Sequence, residues 1–210
     1  MKKITSKNFR ISNVQLIVIV FLGIIFLGSI LLWLPFSHQE GQTLPYIDAL
    51  FVATSAVCVT GLTPINISEV LNPIGHTIMM LLIEVGGLGF MSVLLILALM
   101  FKKRVSIQSR LLIKDTLNLD NLGGSVKLLK FVVKFSLTIQ LIGALLLSTE
   151  FIPEYGLKKG IFFSVFHSIS AFCNAGFDLF GDSLMSFTNN GFILVVISLL
   201  ILSGGFGFIV

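Results

Sequence analysis

The chain has 210 residues, 55% of them hydrophobic and 11% charged, with a net charge of +4 and a mean hydropathy of +1.02. A soluble domain carries about 25% charged residues, and disordered chains are apolar-poor and charge-rich, so both classes are excluded. Twenty Phe against one Trp and two Tyr favour apolar volume over polar-tipped rings, and lipid is the expected solvent for most of the chain.

Lys2, Lys3, Lys7 and Arg10 precede a first apolar run, Val14 to Trp33. Twenty helical residues reach about 30 Å, enough to cross a bilayer core. The run is too long for a signal-peptide core, and Pro35-Phe36-Ser37-His38 lacks the small-residue cleavage pattern. After Pro45, Tyr46 to Ser55 has the length of a re-entrant segment rather than a span. A second long run, Asn72 to Phe101, is interrupted by Glu84, Gly86, Gly87 and Gly89. Beyond a basic linker come a third run from Lys127 to Ile152, a short apolar segment from Gly160 to Ser170, and a fourth run from Asn190 to Val210.

Charge placement predicts orientation. Lys102, Lys103, Arg104, Arg110, Lys114, Lys127, Lys130 and Lys134 lie between or flank the second and third runs, whereas the loop between the first two runs has Glu40, Asp48 and Glu69 and no base. By the positive-inside rule the N-terminus and the linker are cytoplasmic and the other two loops external. Lys127, Lys130 and Lys134 share a helix face and can snorkel to headgroups. The resulting division is a cytoplasmic N-terminus (1–12), a first span–pore-loop–span repeat (13–101), a basic cytoplasmic linker (102–124) and a second repeat (125–210) that ends without a polar tail.

The repeat itself is read from two matching blocks. Ser55-Ala56-Val57-Cys58-Val59-Thr60-Gly61-Leu62 matches Ser170-Ala171-Phe172-Cys173-Asn174-Ala175-Gly176-Phe177 at an offset of 115 residues. Gly86-Gly87-Leu88-Gly89-Phe90 is echoed by Gly204-Gly205-Phe206-Gly207-Phe208 at an offset of 118. Such internal periodicity decides architecture. Both units start from the basic side, so they are parallel copies, unlike the inverted repeats of many carriers. The expected fold is an all-α membrane protein with two parallel span–pore-loop–span repeats of a potassium-channel-like fold. Non-helical backbone at membrane depth is tolerated where it lines water or protein, and a strip of carbonyls facing an axis can replace an ion's hydration shell. Cys58, Val59, Thr60, Gly61 and Cys173, Asn174, Ala175, Gly176 are therefore the expected filter backbone, with no side-chain chemistry required.

The strips and the glycine blocks resemble the bacterial Ktr/Trk potassium uptake proteins, specifically the Ktr-type membrane subunit, over essentially the whole chain. The resemblance implies potassium translocation as the pore-forming subunit of an uptake system in the plasma membrane. It also implies four such units around one pore, with Gly61 and Gly176 matching two of four filter glycines, and a glycine at the first position associated with potassium preference over sodium. Potassium is then the transported ion and sodium an activating or coupled one. A homodimer and a cytoplasmic nucleotide-binding regulatory ring are the implied partners, besides the bilayer, with the segment from Lys102 to Gly124 as a contact for the ring. Two units are half of what the family needs, so the chain is expected to be a fragment of a longer polypeptide, a truncated product, or one of two pairing half-length chains. The alternative function is a non-conducting assembly or regulatory subunit.

Other side chains are read more plainly. Cys58 and Cys173 are expected to be small buried cysteines, since neither has a cationic neighbour to activate it. Glu84, the one acid in the second run, either accepts hydrogen bonds behind the first pore loop or belongs to the ion path; the corresponding residue of the second unit is Leu202. Asp178 and Asp182 either focus cations at an external mouth or are solvated loop residues. His167 is expected to pack with a hydrogen bond, and His38 and His76 show no partner in the sequence. The glycine blocks lack the strand and Lys-Ser/Thr of a phosphate loop, so close helix packing is their reading. No triad, metal cluster or carboxylate pair is present in the pattern, which argues against an enzyme.

Overall fold

The computed structural model describes residues 13–89 and 125–206. They form α-helices and short turns without a strand: α1 (Asn13–Trp33), α2 (Tyr46–Val57), α3 (Ile67–Val70), α4 (Pro73–Leu88), α5 (Ser125–Tyr155), α6 (Leu157–Phe172) and α7 (Gly191–Gly205), with 3-10 turns at Pro35–Ser37 and Met185–Phe187. The expectations for residues 1–12, the 102–124 linker, the second run beyond Gly89 and the block residues Gly207 and Phe208 lie outside the described residues.

The starts of α3, α4 and α7 follow from asparagine side-chain caps. Asn72 accepts from the backbone of Ile74 and Gly75, with Pro73 in the first helical position, and Asn190 accepts from Phe192 and Ile193. Each satisfies donors that a helix N-terminus otherwise leaves bare. Their separation is 118 residues, the spacing of the glycine blocks. The four-residue α3 is invisible to periodicity, and Asn66 nucleates it by accepting from Ser68.

One helix among the described residues, Leu129–Tyr155, is by itself long and apolar enough to cross a membrane. At 1.5 Å per residue α2 and α6 reach only about 18 and 24 Å, short of a bilayer core. Outward-facing apolar side chains are large and contiguous on α1, where Val18, Ile19, Leu22, Phe26 and Leu27 are each at least half exposed. Soluble monomers rarely show such a patch. Lys127, Lys130 and Lys134 are exposed along one side of α5.

Small residues let the helices close up. α5 packs along α6, where Gly143 leaves room for Ser168 and Leu200, and Ser168 Oγ donates to the Gln140 carbonyl at 2.6 Å. Asn190 Nδ2 joins α7 to α5 through Glu150 at 2.7 Å. The loop before α4 is drawn in by Asn72, whose Nδ2 donates to the carbonyls of Phe36 and His38. His38 and His76, without visible partners in the sequence, bond the carbonyls of Leu32 and Ile67 through Nε2. Neither bond could be read from the chain, because each acceptor lies on another turn.

Candidate functional site

α2 and α6 end in one local geometry. Cys58 and Cys173 cap them in right-handed conformation, and the next residues, Val59 (φ +55°) and Asn174 (φ +59°), are left-handed. Thr60 N–H donates to the Ser55 carbonyl at 2.9 Å and Val59 N–H to Ala56 at 3.3 Å. The counterparts are Ala175 to Ser170 at 2.8 Å and Asn174 to Ala171 at 3.0 Å. A six-residue bond enclosing a tighter one is the Schellman ending of a helix. Both strips then turn left-handed again at Gly61 (φ +75°) and Gly176 (φ +73°), a conformation that side chains resist.

Left-handed positions two residues apart break helix and strand ladders alike. Among the described residues no donor is assigned to the carbonyls of 58–61 or 173–176. Cys58, Thr60, Asn174 and Gly176 are exposed, so both rows run along open backbone. The rows lie side by side. A Cβ on Gly61 would run into the Ala175 carbonyl oxygen and come within 3.4 Å of the Gly176 Cα, and one on Gly176 would lie 3.8 Å from the Gly61 Cα.

The glycine blocks seat these helix ends. A Cβ on Gly86 would strike the Val57 carbonyl and reach Val59 Cγ2 at 3.0 Å; one on Gly204 would strike the Phe172 carbonyl and reach Asn174 Nδ2 at 3.2 Å. Val57 and Phe172, like Val59 and Asn174, are paired by the 115-residue offset, so the two contacts involve equivalent residues. Missing side chains on α4 and α7 thus set how closely each helix end approaches its packing helix.

What fastens the strips differs. Ser55 Oγ meets Thr60 Oγ1 at 2.8 Å, whereas Ser170, opposite an alanine, donates to the Phe177 carbonyl at 2.7 Å. Beyond the second strip His167 fastens the chain, its Nδ1 bonding the Phe163 carbonyl at 2.7 Å and its Nε2 accepting from Leu179 N–H at 3.2 Å. That pair of bonds fixes a neutral ring protonated at Nδ1. Phe180 stacks on the ring at 4.5 Å within a cluster including Phe151, Tyr155, Phe163 and Phe187. Sequence reasoning placed His167 as a packed, hydrogen-bonded residue and missed Phe180, whose signal was only one Phe among twenty.

The remaining expected residues separate. Asp178 lines a hollow of about 290 Å³ with Gly61, Thr63, Asn66 and Gly176, while its Oδ2 accepts from the backbone of Phe180 and Gly181. Asp182 is not in that lining; it bonds the Ser186 hydroxyl and amide, which hold its carboxyl below the usual range. Two expectations change. Cys173 is buried, but Cys58 is exposed, because α4 lies against the one and no described helix covers the other. Glu84 is not behind the first strip: its Oε2 faces Cys173 at the foot of the second. No group of three or more His, Cys, Asp or Glu side chains converges among the described residues.

Residues 2–210 match the TrkH family, described as Cation transport protein. The chain is 50% identical over 210 residues to the Potassium/sodium uptake protein NtpJ of Enterococcus hirae, covering all of this chain and 46% of that one. It is 41% identical over 204 residues to the Ktr system potassium uptake protein B of Bacillus subtilis, covering 97% of this chain and 45% of the relative. The Ktr system potassium uptake protein D of the same organism is 35% identical over 199 residues, covering 94% and 44%. The chain thus spans a little under half the length of these curated relatives.

Proposed function

The chain belongs to the TrkH family of cation transport proteins and is a membrane protein; on that premise we propose that it forms half of a potassium-selective pore, its two glycine-ended strips supplying filter carbonyls. The observation that carries the proposal is the pair of adjacent strips whose carbonyls take no donor among the described residues. A dehydrated cation needs a shell of oxygens, and rows of backbone carbonyls provide one without proton chemistry. α2 and α6 are then re-entrant helices, α1, α4, α5 and α7 the flanking spans, and the hollow beside Asp178 the outer mouth. A carboxylate there raises the local cation concentration. Basic residues on the opposite side put the N-terminus in the cytoplasm.

The names of the relatives support potassium as substrate, with sodium transported or coupled. The two remaining units of the ring would come from sequence equivalent to the other half of those relatives. In that ring the helix of one unit covers the strip foot of the next, as α4 covers Cys173, and a further unit would cover Cys58. A homodimer and a cytoplasmic nucleotide-binding partner, with the 102–124 linker as contact, belong to the same reading.

The test is ion uptake by the full-length transporter in cells lacking other potassium uptake. Gly61→Ser should lower potassium preference over sodium by about tenfold to a hundredfold, equivalent to roughly 1.4–2.8 kcal/mol. An unaltered preference contradicts the placement of the filter.

A further inference from the structure

An acid inside an apolar helix is costly unless its oxygens are met. Glu84 lies on α4, two residues before the glycine that seats the first strip, yet its side-chain partners among the described residues belong to the second unit. Its Oε2 accepts from Gln140 Nε2–H at 3.0 Å and from the Cys173 thiol at 3.7 Å. Gln140 Nε2 also approaches Cys173 Sγ at 4.0 Å, and the Gln140 backbone carbonyl holds Ser168 of α6. On the same helix, Gly87 leaves the space that Cys173 Sγ and Cβ occupy. The carboxyl, the amide and the thiol therefore tie α4, α5 and the first residue of the second strip at one point.

Burial alone does not explain the acid. Oε1 is buried with no hydrogen-bond partner among the described residues, so within them the carboxyl is only half satisfied. The corresponding residue of the second unit, Leu202, is more than half exposed, and an apolar residue at position 84 would avoid desolvating a carboxyl. What an apolar residue cannot supply is direction: a hydrogen-bond acceptor orients the thiol and, through it, the backbone of residue 173.

Resting on the filter reading above, we propose that Glu84 is a positioning residue for the second strip, fixing the carbonyl row from Cys173 to Gly176 from the neighbouring unit. It thereby sets ion selectivity without contributing an atom to the ion path. The brace runs one way between units, so the two strips are not equivalent in what tunes them.

The experiment uses the full-length transporter, with potassium and sodium uptake measured for Glu84→Leu, Glu84→Gln and Gln140→Leu beside Gly61→Ser. Loss of the oriented bonds should lower potassium preference about tenfold in E84L and about threefold in Q140L, through the apparent KM for potassium rather than the maximal rate. E84Q keeps an acceptor oxygen and should restore the preference to within about twofold of the parent. A second readout is labelling of Cys173 by a small thiol reagent in a Cys58→Ser background, which E84L and Q140L should both accelerate and E84Q should not. If G61S shifts selectivity while E84L and Q140L do not, the positioning role is overturned and the filter stands. If G61S leaves selectivity unchanged, the filter reading falls and this role with it. Should E84L fail to reach the membrane, Q140L decides: unaltered selectivity with unaltered Cys173 labelling overturns the brace.

Discussion

Residues 55–61 and 170–176 trace the same backbone, but the residue in the left-handed turn is Val59 in one strip and Asn174 in the other. Asparagine visits that region readily, whereas a β-branched residue there is strained by about 1–3 kcal/mol. The first strip compensates with the Ser55–Thr60 hydroxyl pair. The second, lacking a hydroxyl at Ala175, is held further along, by Ser170 at Phe177 and by the His167–Phe180 stack. The geometry of the strip is thus common to both units, whereas the means of holding it differ, the second strip also meeting Glu84 of the first unit.

That comparison is broken most directly at the filter glycines. Gly61→Ser drives a side chain into the Ala175 carbonyl, while Gly176→Ser makes only an ordinary contact with the Gly61 Cα besides the left-handed strain. G61S should therefore lose about tenfold or more in potassium preference and G176S about threefold, read from competitive uptake of the two ions. Equal effects would show that the contact between the strips does not matter.

Next come the seating glycines. Gly86→Ala and Gly204→Ala each press a methyl onto a backbone carbonyl, of Val57 and Phe172 respectively. Overpacking of this kind costs about 1–3 kcal/mol, and thermal unfolding in detergent should show similar losses for both. A loss in only one would mean that the equivalence ends at the strips.

These two contacts also show what the sequence could and could not convey. Serine, alanine, cysteine and glycine recur at one offset, so the paired strips and the short helices before them were legible as a pattern of residue types. The blocks Gly86-Gly87 and Gly204-Gly205 marked close packing, though not the carbonyls they receive. Glu84 was assigned to the wrong strip because its partner Gln140 is 56 residues away, and it is the packing of α4 against α6, and of α6 against α5, that brings them together. Cys58 and Cys173 look alike in sequence, yet burial depends on which neighbouring helix lies over them, and that is decided by the order of units rather than by either residue. His38, His76 and Asn72 form their bonds with main-chain carbonyls, which carry no sequence signature.

A finer test exchanges the turn residues. Val59→Asn should raise stability by about 1 kcal/mol and Asn174→Val lower it by about 1–2 kcal/mol, by relieving or introducing left-handed strain. Thermal melting of the two variants should move in opposite directions; shifts of one sign would mean that side-chain packing on Gly86 and Gly204 outweighs the backbone. The smallest effect is expected at Asp182. Its carboxyl is held below the usual range by the Ser186 hydroxyl, so its contribution is present above the ordinary aspartate pKa and is lost as pH falls through the lower folded value. Asp182→Asn should flatten that part of the acid melting profile and leave ion selectivity as it is.

The central claim, that the two strips line one ion path, is tested most directly by locating a heavy potassium analogue. Anomalous scattering from thallium(I) bound to crystals of the full-length transporter should place density between the carbonyls of residues 58–61 and 173–176, beside Gly61 and Gly176. Thallium found at Glu84, or held by the Asp178 carboxylate with none between the strips, would contradict it.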